Sequence, residues 1–385
     1  MQPYQGSKRL EWIDVARGFA ILGIFMVNIG AFSSPYFLYG GAEEAWTSTI
    51  DQFSLIFIDI FFQASFYTLF SILFGFGIQI QKDSLDKKDI SPYGFFGRRL
   101  GVLIVFGVIH AFAVWSGDIL FTYGTMGFLL LLFLYSGDKV LAGWAIGLLG
   151  FSTLALTSLQ YVARDFIDVS YTSEIEQALQ SYRSSDFSVI LTQNYQDWQL
   201  SNGILGFLLF PFIFLPLFLF GMYLARKRWF HDPFTYRAVL KKMWVISLVV
   251  FVLFKIGPYT FGNPLWFALV QDNIGGTASA VFYLTSMTLL WQKRSFRKIL
   301  HILTPIGKMA LTNYLLQSII CFWLFYGVGL GLYGEIRPIL QIGLVILIFC
   351  LQITGSMIWL HNFQFGPVEW LWRSVTYKKI QPMKR

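Results

Sequence analysis

An all-α, polytopic integral membrane helix bundle of about ten transmembrane helices is the fold class that this sequence predicts, and three observations carry it. The 385 residues are 56% hydrophobic and only 13% charged, with a mean hydropathy of +0.58, whereas a soluble domain carries roughly a quarter charged residues. Apolar runs of about 20 residues, the length a helix needs to cross the hydrocarbon core, recur along the chain. Lys and Arg are concentrated in alternate connecting segments. The lipid bilayer is therefore the expected partner of most of the surface.

The candidate spans are 12–32, 52–80, 100–116, 119–135, 140–162, 203–225, 243–260, 265–291, 309–330 and 338–360. With Lys8 and Arg9 on the cytoplasmic side, 24 of the 29 Lys and Arg fall in cytoplasmic segments. The others are Arg17 and Lys255 within spans and Arg164, Arg183 and Arg337 outside, which is the asymmetry of the positive-inside rule. Both termini are thus expected in the cytoplasm, with the protein multi-pass in a bacterial inner or plasma membrane. Residues 12–32 exceed a signal peptide's apolar core and lead into SSPYFLYGG without a small-x-small cleavage site, so an uncleaved first span is expected.

Residues 1–385 read as a single transmembrane domain. The largest outer segment, 163–202, is polar and acidic, and its EIEQALQSY stretch is expected to form a short surface helix. The C-terminal 361–385 reads as a cytoplasmic amphipathic segment, with Pro367 suited to a helix start and Trp370, Trp372 and Tyr377 to the headgroup zone. The net charge of +8 lies in loops without interleaved stacking aromatics, so nucleic acid is not an expected partner. Cys321 and Cys350 show neither CxxC nor Cys/His spacing, and no disulfide framework or metal site follows. A homo-oligomer stays open.

The chemistry-bearing residues are the polar groups inside the spans. Asp14, Arg17 and Asn28 project from one side of the first helix, at three and then eleven residues' separation, with the other faces expected to meet lipid. Asp14 and Arg17 lie at the cytoplasmic surface and Asn28 roughly 16 Å further on, given a 1.5 Å rise. They mark a path inward, or an anchoring ion pair with a helix-contact asparagine. Asp59 and Gln63 share a face of the second span. An ionised carboxylate there needs a partner or a function.

His110 is the histidine at membrane depth and the best general-base candidate; the alternative is a hydrogen-bonded packing residue. Asp118 after Gly117 suits either catalysis or a helix N-cap. Lys255 and Asp272 flank one short outer loop and are expected to pair, structurally or as part of a relay. Lys308, Asn313 and Gln317 enter the ninth span behind a Pro-Gly break, while Glu369 and Arg373, four apart, either pair or face the cytoplasmic mouth. The Leu-Phe-Gly of SILFGFG returns in FLFGMYLARKR, a faint echo that would fit a repeat.

The ordered set DVARGFAILGIFMVNI, FSILFGFG, RRL followed by GVIH and GDIL, GKMALTNYLLQS and GPVEWLWR resembles the YeiB-like bacterial membrane proteins, domain of unknown function 418, over nearly the whole chain. That family is similar, chiefly in its first two spans, to heparan-alpha-glucosaminide N-acetyltransferases and the wider transmembrane acyltransferases. The resemblance implies transfer of an acyl group from cytosolic acyl-CoA to an extracytoplasmic or lipid-linked acceptor, whether small molecule, glycan or lipid. Asp14, Arg17 and Gly18 match the acetyltransferases' D-x-x-R-G pattern, and Asn28 matches an asparagine of their active site. Their loop histidine after the first span has no counterpart in AFSSPYFLYGGAEEAWTSTIDQF, so either His110 or an outer carboxylate replaces it or this branch does not perform that reaction; Asp59 and Asp118 join Asn28 and His110 as the catalytic candidates. On this reading Arg17, Arg98, Arg99, Lys308, Asn313 and Arg373 would hold the acyl-CoA, the one co-substrate implied. Two other classes remain: a proton-coupled transporter or exporter using Asp59, His110, Asp118 and the Lys255/Asp272 pair, and a non-catalytic cell-envelope protein.

Overall fold

The computed structural model describes residues 10–167 and 170–385, so Lys8 and Arg9 of the charge count, and Asp168 and Val169 of the outer segment, lie outside the described residues. The helices that matter for the site are α1 (Glu11–Ser33), α2 (Thr49–Phe61), α3 (Ser65–Asp86), α4 (Pro92–Ala113), α5 (Leu120–Leu130) and α6 (Asp138–Val162). They are followed by α7 (Thr172–Tyr182), α8 (Phe187–Asn202), α9 (Ile204–Lys227), α10 (Arg237–Phe251), α11 (Gly276–Trp291), α12 (Ala310–Phe325), α13 (Pro338–Asn362) and α14 (Pro367–Tyr377). No strand occurs among the described residues. Seven helical stretches are long and apolar enough to cross a membrane, and Leu120–Phe133 and Ala310–Phe325 are shorter apolar helices. The protein is an all-α helical membrane bundle.

Local chemistry accounts for the element ends. Pro92, Pro338 and Pro367 each open a helix, where the missing N–H costs nothing. The expected single span 52–80 is instead two helices, because the chain breaks at Phe62–Ala64 and Ala64 takes a φ of 60°. Expected span 243–260 runs through α10 into a π-helical turn at Val252–Ile256, faced by a second one at Gln271–Gly275. EIEQALQSY lies in α7 as expected, but the rest of that outer segment adds α8, capped by Asp186, whose carboxylate accepts from the Ser188 N–H at 2.8 Å.

The helix α1 is central, not a lipid-facing wall as its sequence suggested. Trp12, Val15, Ala16, Ala20, Ile21, Phe25, Ile29 and Phe32 are all buried, on every side of the helix. Close approach is made by glycine. A Cβ on Gly18 would strike the Leu303 carbonyl and one on Gly307 the Asp14 carbonyl, so α1 and the short helix Thr304–Lys308 pack backbone to backbone. The echoed Leu-Phe-Gly tripeptides meet in the same way, with Gly75 against the Phe218 carbonyl and Gly221 against that of Ile72. Their likeness is that of one helix crossing, between α3 and α9.

Candidate functional site: a cationic cavity beside a buried histidine

One cavity, of about 190 Å³, runs between α1, α3, α4, α5, α12 and α14. At the end where α1 begins, Asp14, Arg17, Arg99, Lys308, Glu369 and Arg373 line it. Ile21, Ile24, Leu73, Leu103 and Ile119 line its apolar throat, and Tyr123 and Tyr314 stand among the lining side chains. Four cations thus face two carboxylates. Asp14 lies 3.6 Å from Arg17, and Glu369 spends its carboxylate on the start of α12, accepting from the Leu311 N–H at 2.7 Å, the Thr312 N–H at 3.0 Å and the Thr312 hydroxyl at 2.5 Å. Arg99 stacks on Trp372, 3.7 Å from the ring centre, and Arg373 on Phe365 at 4.6 Å.

Behind Tyr314 is a histidine–carboxylate pair. The His110 and Tyr314 ring centres are 5.3 Å apart. The His110 Nδ1 lies 2.8 Å from Asp118 Oδ1, and both side chains are almost wholly buried, at 2% and 0% exposure. Asp118 Oδ2 accepts the Phe121 N–H at 2.7 Å, so this carboxylate both caps the start of α5 and orients the imidazole. In neutral imidazole that arrangement leaves the proton on Nδ1 and the lone pair on Nε2. His110 Nε2 and the Tyr314 hydroxyl are both buried without a hydrogen-bond partner.

Depth is set by helical rise. His110 lies eleven residues along α4 from Arg99, and Asn28 eleven along α1 from Arg17, each roughly 16 Å. Because eleven residues make just over three whole turns, each polar residue projects from the same side as its arginine. Asn28 continues the stripe Asp14, Arg17, Ile21 and Ile24, one turn past the last lining residue. It is half-buried.

Other predicted residues lie elsewhere. Arg98 points out of the cavity, its Nε donating to the Thr376 carbonyl at 3.0 Å and so tying α4 to α14. Asn313 faces α13, donating to the Met309 carbonyl and the Ser356 hydroxyl, each at 3.0 Å, next to a Gln317–Gln352 bond of 2.9 Å. Asp59 is not with His110. It accepts from Tyr259 at 2.6 Å and Gln271 at 2.7 Å, and lies 3.7 Å from the buried Lys255, which pairs with Asp272 at 2.9 Å. This second cluster sits where the two π-helical turns face each other, a backbone form concentrated at functional sites.

The opposite end of the bundle is covered. The Asn194 side chain of α8 donates to the Ala111 carbonyl at 2.6 Å, next in sequence to His110, and Trp198 packs on Phe112 with ring centres 4.8 Å apart. The buried Asp197 accepts from Tyr39, Tyr182 and Gln193 at 2.6–2.7 Å and locks α7 and α8 to the loop after α1. Burial pushes its carboxyl above the ordinary 3.8, against those three donors.

Sequence reasoning missed Tyr314 and Tyr123. A tyrosine in an apolar run reads as packing, and Tyr123 is indeed satisfied, lying 2.6 Å from the Ser71 hydroxyl and donating to the Tyr67 carbonyl at 3.0 Å. Tyr314 is not. The one available signal was the phenol hydroxyl next to Asn313 in LTNYLLQ, which must find a partner when buried.

The helices and the cavity together define the class, a helical membrane protein with a charged cavity between its helices. Residues 224–379 match the family model described as "Protein of unknown function (DUF418)". The chain is 35% identical to the uncharacterized protein YxaH of Bacillus subtilis, over 100% of this chain and 98% of the relative, and 30% identical to the uncharacterized protein YeiB of Escherichia coli, over 96% and 97%. It is also 27% identical to an uncharacterized 39.9 kDa protein from the amylase 3′ region of Bacillus acidopullulyticus, over 100% of this chain. The chain belongs to the YeiB-like DUF418 family. No solved structure matches it.

Proposed function

We propose that this protein is a membrane-embedded acyltransferase that takes an acyl group from cytosolic acyl-CoA and passes it to an extracytoplasmic or lipid-linked acceptor. One observation carries the reading: a histidine oriented by a carboxylate, its other ring nitrogen buried without a partner, packed behind Tyr314 of a cavity whose mouth gathers four cations. The end where α1 begins is taken as cytoplasmic, by the positive-inside rule, with both termini there and about ten crossings of the cell membrane.

Arg17, Arg99, Lys308 and Arg373 bind the phosphates of the acyl-CoA through charge-assisted hydrogen bonds. A phosphate about 4 Å from any one of them gains about 4 kcal/mol at an effective dielectric near 20. The pantetheine arm follows the apolar throat toward the His110 level. There His110 Nε2 takes the acceptor's proton as the acceptor atom attacks the thioester carbon, Asn28 donates to the developing oxyanion, and the C–S bond breaks. The departing thiolate leaves as the thiol with the proton that His110 returns. Asp118 holds the tautomer throughout.

Purified protein in phosphatidylcholine nanodiscs, given acetyl-CoA together with sn-glycerol 3-phosphate and phosphoethanolamine as candidate acceptors, is expected to release free thiol as the acetyl group passes to the acceptor. His110→Ala should lower that rate by roughly 10²- to 10⁴-fold. Equal rates in wild type and variant would overturn the reading. The Lys255 cluster favours a second one, proton-coupled transport, since a buried lysine shared by two carboxylates at broken helices has the composition of a carrier's proton-binding element. Proton-gradient-driven flux in proteoliposomes, indifferent to acyl-CoA and lost in Lys255→Met, would support it.

A further inference from the structure

We propose that the inner end of the cavity is a hydroxyl-binding subsite, formed by the Tyr314 phenol and His110 Nε2, so that the acceptor is an alcohol and not an amine. The assignment of this ligand as the acceptor rests on the acyl-transfer reading; the hydroxyl subsite itself does not. Two side-chain atoms without partners belong to rings whose centres are 5.3 Å apart, Tyr314 in the cavity lining and His110 behind it, and they differ in kind. The Tyr314 O–H is a donor, and His110 Nε2, with Asp118 on the other ring nitrogen, is an acceptor. Both residues are more than nine-tenths buried, at 4% and 2% exposure, and Tyr314 lines the cavity.

A single hydroxyl satisfies both, donating its proton to Nε2 while its oxygen accepts from Tyr314. An amine does not. At neutral pH an aliphatic amine is an ammonium, which donates but has no lone pair to accept from a phenol. With no acyl-CoA bound, the four cations Arg17, Arg99, Lys308 and Arg373 admit an alcohol probe that carries an anionic group. In the reaction, the hydroxyl proton moves to Nε2, the alcohol oxygen bonds to the acyl carbon, the C–S bond breaks, and the proton leaves on the thiol. Tyr314 keeps its own proton and fixes the oxygen in line with the imidazole.

The test uses full-length protein with ¹⁵N-labelled histidine in phosphatidylcholine nanodiscs, without acyl-CoA. The chain has four histidines, and the His110 Nε2 resonance is identified by its loss in His110→Gln. The probes are sn-glycerol 3-phosphate and phosphoethanolamine, which share a phosphate and differ in presenting a hydroxyl or an ammonium. Glycerol phosphate is expected to move the Nε2 resonance saturably, with phosphoethanolamine at least ~10-fold weaker. Tyr314→Phe should weaken the alcohol by ~10-fold at an unchanged melting temperature. No shift with the alcohol, an equal shift with the amine, or full alcohol binding in Tyr314→Phe overturns the subsite. Failure of thiol release from acetyl-CoA, with the alcohol shift intact, would remove the acyl-transfer reading and leave the subsite standing.

Discussion

At His110 the arrangement depends on Asp118 doing two things at once. One carboxylate oxygen holds the imidazole and the other caps α5, so Asp118→Asn must leave one of the two N–H groups facing an amide nitrogen. We expect thiol release from acetyl-CoA to fall by roughly 10²-fold or more. Stability should fall by about 1 kcal/mol, read as a lower melting temperature. The arginines divide in the same way. Arg17→Ala is expected to weaken CoA binding by calorimetry, because Arg17 lines the cavity. Arg98→Ala should leave CoA affinity unchanged while loosening α14, because its guanidinium serves the Thr376 carbonyl. No sequence rule separates these neighbours' roles, since adjacent residues on a helix point about 100° apart and only packing decides which direction holds the cavity.

Among the elements, α1 and α14 matter most. The approach of α1 to Thr304–Lys308 places Asp14 and Lys308 on one cavity wall, and it depends on two glycines. Gly307→Ala should push the segments apart and cost roughly 1–3 kcal/mol, seen as a lower melting temperature together with weaker CoA binding. D-x-x-R-G and T-P-I-G-K are therefore legible as motifs, but their meeting across nearly 300 residues is not. The cap formed by α7 and α8 should respond to pH. Because burial raises the Asp197 carboxyl in the folded state, its contribution is fully present below the ordinary carboxylate pKa of 3.8 and is lost as pH rises through the raised value. Hydrogen exchange in α7 and α8, corrected for intrinsic rate, should report less protection above that window than below it.

For the whole molecule, the charge asymmetry makes a topological claim that labelling can check. In a variant with Cys321 and Cys350 replaced by serine, a cysteine at Ser173 in α7 should react with a membrane-impermeant maleimide from outside the cell. One at Lys379, after α14, should react only once the membrane is opened. The reverse pattern would invert the orientation assumed for the cavity. The covered far end adds a constraint, since Asn194, Trp198 and the Asp197 network lie over the helix end that carries His110. An acceptor on that side reaches the imidazole only if α7 and α8 move.

Composition and hydropathy by themselves determined that the chain is a helical membrane bundle, where most helices lie, and that Asp14, Arg17, His110 and Asp118 deserve chemical explanation. These are local or periodic properties, and a bilayer forces backbone groups to pair within each helix, so local signals carry far. Tertiary packing alone decided that Asp118 serves His110, that Asp59 belongs to Lys255, that Arg98 and Asn313 are structural ties, and that Tyr314 stands between histidine and cavity. Those facts depend on which helices become neighbours and how each is rotated. Inside lipid that is settled by close-packed small residues and interhelical hydrogen bonds between distant segments, which leave no period in the sequence to read.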